Sequence, residues 1–163
     1  MAVSAAEFIA RYGGIYEHSR WVAEEAAPIA AELDDPEKIA AIMADCVDNA
    51  SAQRQLALIR AHPDLAGKAQ IAGELTKESS SEQESAGLDQ CTPEEFAEFQ
   101  TLNRDYHEKF GFPFVMAVRG SGRAEILAAF EHRLANDRET EFETALAEIH
   151  KIARLRLHAM AEH

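Results

Sequence analysis

The sequence predicts an all-α protein: a single-domain, compact helical bundle of about seven to nine helices, with one short extended segment near residues 112–118. Three observations carry this expectation. Apolar residues recur at steps of three and four through most of the 163 residues, the period of amphipathic helices. Helix start signals stand where those runs begin, at Asp35-Pro36-Glu37 and at Thr92-Pro93-Glu94-Glu95. The one strongly apolar run without that period, Phe112 to Val118, is bounded by Gly111 and by Gly120-Ser121-Gly122.

In chain order, residues 7–26 read as mainly helical with an interruption at Gly13-Gly14. Asp35 is an N-cap with Pro36 at the first helical position and Glu37 near the positive end of the dipole. From there Ile39, Ile42, Met43, Cys46, Val47, Ala50, Leu56 and Ile59 keep helical spacing to about residue 60. Pro63 then excludes most of the α region for His62, so the helix ends there for steric reasons. Residues 66–73 read as a possible short helix, and 75–88 as a polar segment with one plausible helical turn.

Thr92 and Glu95 make a capping box. Behind them Phe96, Phe99, Leu102, Tyr106 and Phe110 share one helical face until Gly111 stops the helix. A stripe of this kind reads as core. The segment 112–118 is too short and too apolar for an amphipathic helix. Its backbone N–H and C=O groups, lacking a sheet partner, must bond elsewhere, to a ligand among other choices. Helices resume around 123–135 and 139–160. Neither an internal repeat nor a domain linker interrupts the chain, and its length suffices for one sizeable core.

Net charge is −13, from 29 acidic and 16 basic residues. Nucleic acid is a poor partner for such a surface, because phosphate binding needs a basic footprint. A small anionic substrate would be repelled overall, so its site must be built from local Arg, His and backbone N–H groups. Cys46 and Cys91 show neither metal spacing nor a disulfide framework, and Cys46 within an apolar pattern reads as a buried, reduced thiol. The seven histidines lack metal-site spacing. MAVSAAEF lacks the layout of a signal peptide, no apolar run approaches a membrane span, and the final AEH is no recognised address. The expected location is cytoplasmic.

Three residues are misplaced relative to their surroundings. His62 is either a cation at a helix C-terminus or a catalytic acid or base. Glu82 completes an S-x-x-E pattern with Ser79 as N-cap. The same helix N-terminus could bind an anion, with three hydroxyls, a carboxylate and an amide from Ser79, Ser80, Ser81, Glu82 and Gln83. Arg156 falls on the apolar face of the last helix with Phe142, Leu146, Ile149, Ala153 and Met160, whereas Arg154 falls on a polar face. Such a guanidinium either snorkels to the edge or meets a buried anion.

The motifs HPDLAGK (62–68), LTKESSSEQESAGLD (75–89) and LNRDYHEKFGFPFVMAV (102–118), in that order, resemble the OHCU decarboxylase family of urate degradation. Weaker agreement lies in GGIYEHSRWVAEEA and EIHKIARLRL. OHCU is 2-oxo-4-hydroxy-4-carboxy-5-ureidoimidazoline. The resemblance implies a cofactor-free, all-helical enzyme, typically a homodimer, that converts this anionic ureidoimidazoline to (S)-allantoin. It places the catalytic histidine on His62, beside Pro63, and the other catalytic groups on Glu82 and Arg156. It places substrate binding on Ser79 and Gln83, and on the backbone around Phe114, Val115, Met116, Ala117 and Val118; Pro63, Ser80 and Ser81 complete the expected substrate-binding set. AEH is not the peroxisomal ending common in eukaryotic members, which points to a bacterial-type enzyme. The alternatives are a helical protein-interaction module, with the aromatic stripe as its groove, and a hydrolase of a related ureide.

Overall fold

The computed structural model describes residues 4–67 and 74–161. Eight α-helices lie among them: α1 (Ala5–Tyr12), α2 (Trp21–Ala30), α3 (Pro36–Asp48), α4 (Ala52–Arg60), α5 (Lys77–Ser85), α6 (Pro93–Phe110), α7 (Arg123–Leu134) and α8 (Arg138–Ala161). A single 3-10 turn spans Leu88–Gln90. No strand occurs among the described residues, so the all-α expectation holds. No helix of this set is long and apolar enough to cross a membrane.

The chain forms two compact units, one from residues up to Ala61 together with Ile149 onward, the other from His62 to Glu148. In the first, α2 packs against both α1 and α3. The α2 surface is lined by Ala23, Ala26, Ala27 and Ala30, all buried, and such small side chains allow close helix approach. Phe8, Val22, Ile39 and Met43 fill the core around them.

The apolar pattern from 36 to 60 is two helices rather than one. Asn49 and Ala50 break it, and Ser51 caps α4 by accepting from the Arg54 N–H at 3.2 Å. Gln55 Nε2 donates to the Val47 carbonyl at 2.9 Å, satisfying the open end of α3. The apolar spacing runs nearly in phase through the break, which hid it. Cys46 is half-buried rather than buried, and both cysteines are free thiols.

The second unit is organised by α6. Its capping box is present, with Thr92 Oγ1 accepting from Glu95 N–H and Glu95 Oε1 accepting from Thr92 N–H. Gly111 ends it at φ +78, a left-handed conformation that glycine adopts without steric cost. Phe99, Leu102, Tyr106 and Phe110 are buried and Phe96 is half-buried, so the aromatic stripe is core from Phe99 onward. The Tyr106 ring meets Phe110, Phe112, Phe114 and Phe130 at centroid distances of 4.5 to 5.9 Å. Residues 112–118 lie outside helix and strand, with a bend at Phe112, and α7 packs against α6.

Candidate active site

The segment after α4 is a turn held almost entirely by side chains. His62 is buried and lies in a bend, consistent with the restriction that Pro63 places on it. Three successive carbonyls each accept from a primary amide: Asp64 from Gln83 Nε2 at 3.2 Å, Leu65 from Asn103 Nδ2 at 3.0 Å, and Ala66 from Gln100 Nε2 at 2.8 Å. Gln83 also accepts from the Ala66 N–H at 3.0 Å. Asp64 Oδ1 accepts from His107 Nε2 at 2.8 Å.

These bonds hold Ala66 at φ +51, where an L-residue is strained. Gly67 is required by space: a Cβ there would lie 2.8 Å from that of Asp64. The turn carrying His62 is thus rigid because several elements over-determine it. Sequence reasoning passed over Gln100, Asn103 and His107. Their signal was spacing, since steps of three and four put three polar side chains on one face of an aromatic helix. Asn103 Oδ1 is buried with no hydrogen-bond partner among the described residues.

The helix bearing Glu82 begins earlier than the S-x-x-E pattern suggests. Thr76 is the N-cap, its Oγ1 accepting from the Ser79 N–H at 3.2 Å, and Ser80 N–H is already bonded to Thr76 O. Ser79 is therefore inside the first turn, and Glu82 is mid-helix. This corrects both the capping box and the anion site at a helix start, because the backbone donors from Ser80 onward are used by the helix. The side chains that α5 offers differ in burial. Ser79 and Gln83 are buried, Glu82 is half-buried, Ser80 donates to Glu84 Oε1 at 3.3 Å, and Ser81 is exposed. The three hydroxyls do not converge.

The segment 112–118 has internal partners for part of its backbone. Val115 C=O accepts from Arg133 Nη1 at 2.6 Å, Ala117 N–H donates to Glu148 Oε1 at 3.0 Å, and Val118 C=O accepts from Ser121 N–H. Arg133 is itself fixed. Its Nε donates to the fully buried Glu141 at 2.8 Å, and its guanidinium lies 4.3 Å from the Phe114 ring centroid. Tyr106 Oη donates to Glu141 Oε1 at 2.5 Å, and Asn136 Nδ2 donates to Oε2. Burial, then the bond to Glu141, pushes the Tyr106 phenol well above its usual range, so it stays a donor. Phe112, Phe114, Val115 and Val118 are buried, whereas Met116 and Ala117 are half-buried.

Arg156 belongs to the other unit. It is 4% exposed, so it does not snorkel. Nη1 donates to the Ile15 carbonyl at 3.2 Å, and Nη2 lies 3.5 Å from Oε2 of Glu17, which is 2% exposed. The buried-anion alternative is the one the fold adopts. Arg154, as its polar face predicts, is exposed and pairs with Glu37.

A family model described as OHCU decarboxylase matches residues 1–158. The chain belongs to the OHCU decarboxylase family. Relatives named 2-oxo-4-hydroxy-4-carboxy-5-ureidoimidazoline decarboxylase include one from Haloferax volcanii, 45% identical over 92% of this chain and 86% of its own length. Another, from Halalkalicoccus jeotgali, is 44% identical over 92% of this chain and 82% of its own. A uric acid degradation bifunctional protein of Bacillus sp. is 44% identical over 95% of this chain but only 30% of its own length. Among solved structures, an (S)-allantoin synthase superposes with a TM-score of 0.76 at 34% identity, covering 96% of this chain and 50% of that one. In this OHCU decarboxylase family member, HPDLAG is therefore a turn clamped by amides, with its histidine buried rather than displayed.

Proposed function

We propose that this protein decarboxylates 2-oxo-4-hydroxy-4-carboxy-5-ureidoimidazoline to (S)-allantoin in urate breakdown, acting as a carboxy-lyase. The observation that carries the reading is the agreement of the family match over residues 1–158 with a buried histidine on a rigid turn. A rigid turn suits a group that must deliver one proton to one face.

Cleavage of the ring carbon–carboxylate bond releases CO2 and leaves an electron pair on that carbon. The adjacent C=N bond of the substrate takes up this pair, so a pyridoxal or thiamine sink is redundant. The ring nitrogen that receives the pair takes up one proton, and the resulting enol is then protonated on the ureido-bearing carbon as its hydroxyl gives up its own proton and becomes a carbonyl. Each substrate carboxylate thus consumes one proton and yields one CO2 and one allantoin.

In this reading His62 delivers the proton, Glu82 orients or polarises His62 and the substrate hydroxyl, and Arg156 binds anionic substrate oxygens. Ser79 and the half-buried part of the 114–118 segment contact the planar ring, with Gln83 holding the turn between Pro63 and Gly67. Of the serine run, Ser79 is favoured over Ser80 and Ser81, because it alone is buried. A homodimer and a cytoplasmic location accompany the family resemblance. The matched region runs through both units without a break, which supports reading residues 1–163 as one family domain.

Product analysis tests the reaction type. Carbon-labelled substrate should release one labelled CO2 per allantoin formed, above the spontaneous rate. A hydrolase of the ureide would retain the carboxylate carbon in its product. His62→Asn should remain folded and lose about 10²–10⁴-fold in kcat, the range for a general acid. An interaction module would leave no such dependence.

A further inference from the structure

We propose that Glu17 is a positioning residue that fixes the angle at which Arg156 presents its guanidinium. The inference rests on the reading of Arg156 as a substrate-binding group, and it adds a residue to which the sequence analysis gave no role. Glu17 is 2% exposed and Arg156 4%, so the pair is almost wholly out of water. Such a pair is a poor device for stability, because desolvating both charges offsets much of their attraction. A role in orientation accounts better for its presence.

The turn around Glu17 is built to hold the carboxylate still. Tyr16 Oη donates to His150 Nδ1 at 2.8 Å, and His150 Nε2 in turn donates to Asp48 at 3.0 Å. On the other side of Tyr16, the Ile15 carbonyl accepts from Arg156 at 3.2 Å. Ser19 Oγ donates back to the Glu17 carbonyl at 3.0 Å. His18 sits at φ +50, a left-handed conformation that L-residues adopt only when their surroundings impose it. The turn is thus pinned to α8 at residues 150 and 156 through Ile15, Tyr16 and Glu17 itself. Arg carries its donors in a rigid planar fork. Acceptors at Nη1 and Nη2 together set the plane of that fork, which a single contact would leave free to rotate.

The test is a double-mutant cycle on kcat/KM with freshly generated OHCU, using Glu17→Gln, Arg156→Ala and the double variant. Glu17→Gln should keep its fold and lose about ten-fold or more in kcat/KM, and the double variant should be no worse than Arg156→Ala alone. A purely structural Glu17 would lower the melting temperature and leave kcat/KM of the folded protein unchanged. That result, or additive losses, overturns the proposal while Arg156→Ala remains crippled. Full activity in Arg156→Ala would instead overturn the reading of Arg156, and the role of Glu17 with it. If Glu17→Gln does not fold, Glu17→Asp keeps the charge but withdraws the carboxylate. Folded Glu17→Asp with unaltered kcat/KM would equally overturn the proposal.

Discussion

Gln83 spans the backbone on either side of Leu65, donating to the Asp64 carbonyl and accepting from the Ala66 N–H. Its removal in Gln83→Ala leaves two backbone groups without their partner, at a cost of about 1–3 kcal/mol for each that stays dry. The expected outcome is a loss of about 2 kcal/mol or more in urea unfolding, with turnover falling because His62 loses its support. Stability reduced with turnover per folded molecule intact would contradict that link. A second residue-scale expectation concerns alkali. An unfolded tyrosine titrates near 10.0, and burial followed by the Glu141 contact raises Tyr106 above that. The folded state then holds the proton more tightly, so this contribution is fully present below pH about 10 and is lost as pH rises beyond it. Denaturant melts at rising pH should show the decline, and Tyr106→Phe should make it shallower. Arg156 was legible as an anomaly at this scale, because a charge on an apolar helical face must either snorkel or meet an anion, and only the fold decides between them. Glu17 was not, since it lies in a turn whose conformation no period announces.

At the scale of elements, α5 shows how two good local signals compete. Thr76 and Ser79 are both N-cap types, and the cap that admits the longer helix is the one used. Thr76→Ala should therefore destabilise by about 1 kcal/mol, whereas Ser79→Ala should leave the cap intact. Glu82→Gln has no cap to lose, so its loss of turnover should exceed anything a change in its melting temperature explains, as expected of a group that acts on His62 or substrate. A melting temperature that falls with activity retained would return Glu82 to a structural role. Elsewhere the elements were readable. Thr92 with Glu95 and Gly111 set both ends of α6, and Pro63 set the limit after α4. The break between α3 and α4 was not readable from apolar spacing, because only the polar pair Asn49 and Ser51 marks it. The internal bonds of the 112–118 segment escaped prediction for another reason: their donors and acceptors, Arg133 and Glu148, are remote in sequence.

For the whole molecule, a net charge of −13 opposes the approach of an anionic substrate. Raising ionic strength from about 0.01 to 0.15 M shortens the screening length from about 30 to 8 Å. Initial rates should accordingly show kcat/KM rising over that interval. A falling value would mean that the local cations outweigh the global field. Class and family were legible across the chain, since periodicity and ordered motifs are properties of sequence alone. The clamped turn and the Glu17–Arg156 pair were not, because they depend on residues brought together only by folding. The most direct test of the central claim is polarimetry with freshly generated OHCU, following the optical activity of allantoin as it forms. The protein should accelerate appearance of the (S) enantiomer over the racemic background, and His62→Asn should abolish the excess. Allantoin that forms at the uncatalysed rate and without optical activity would contradict it.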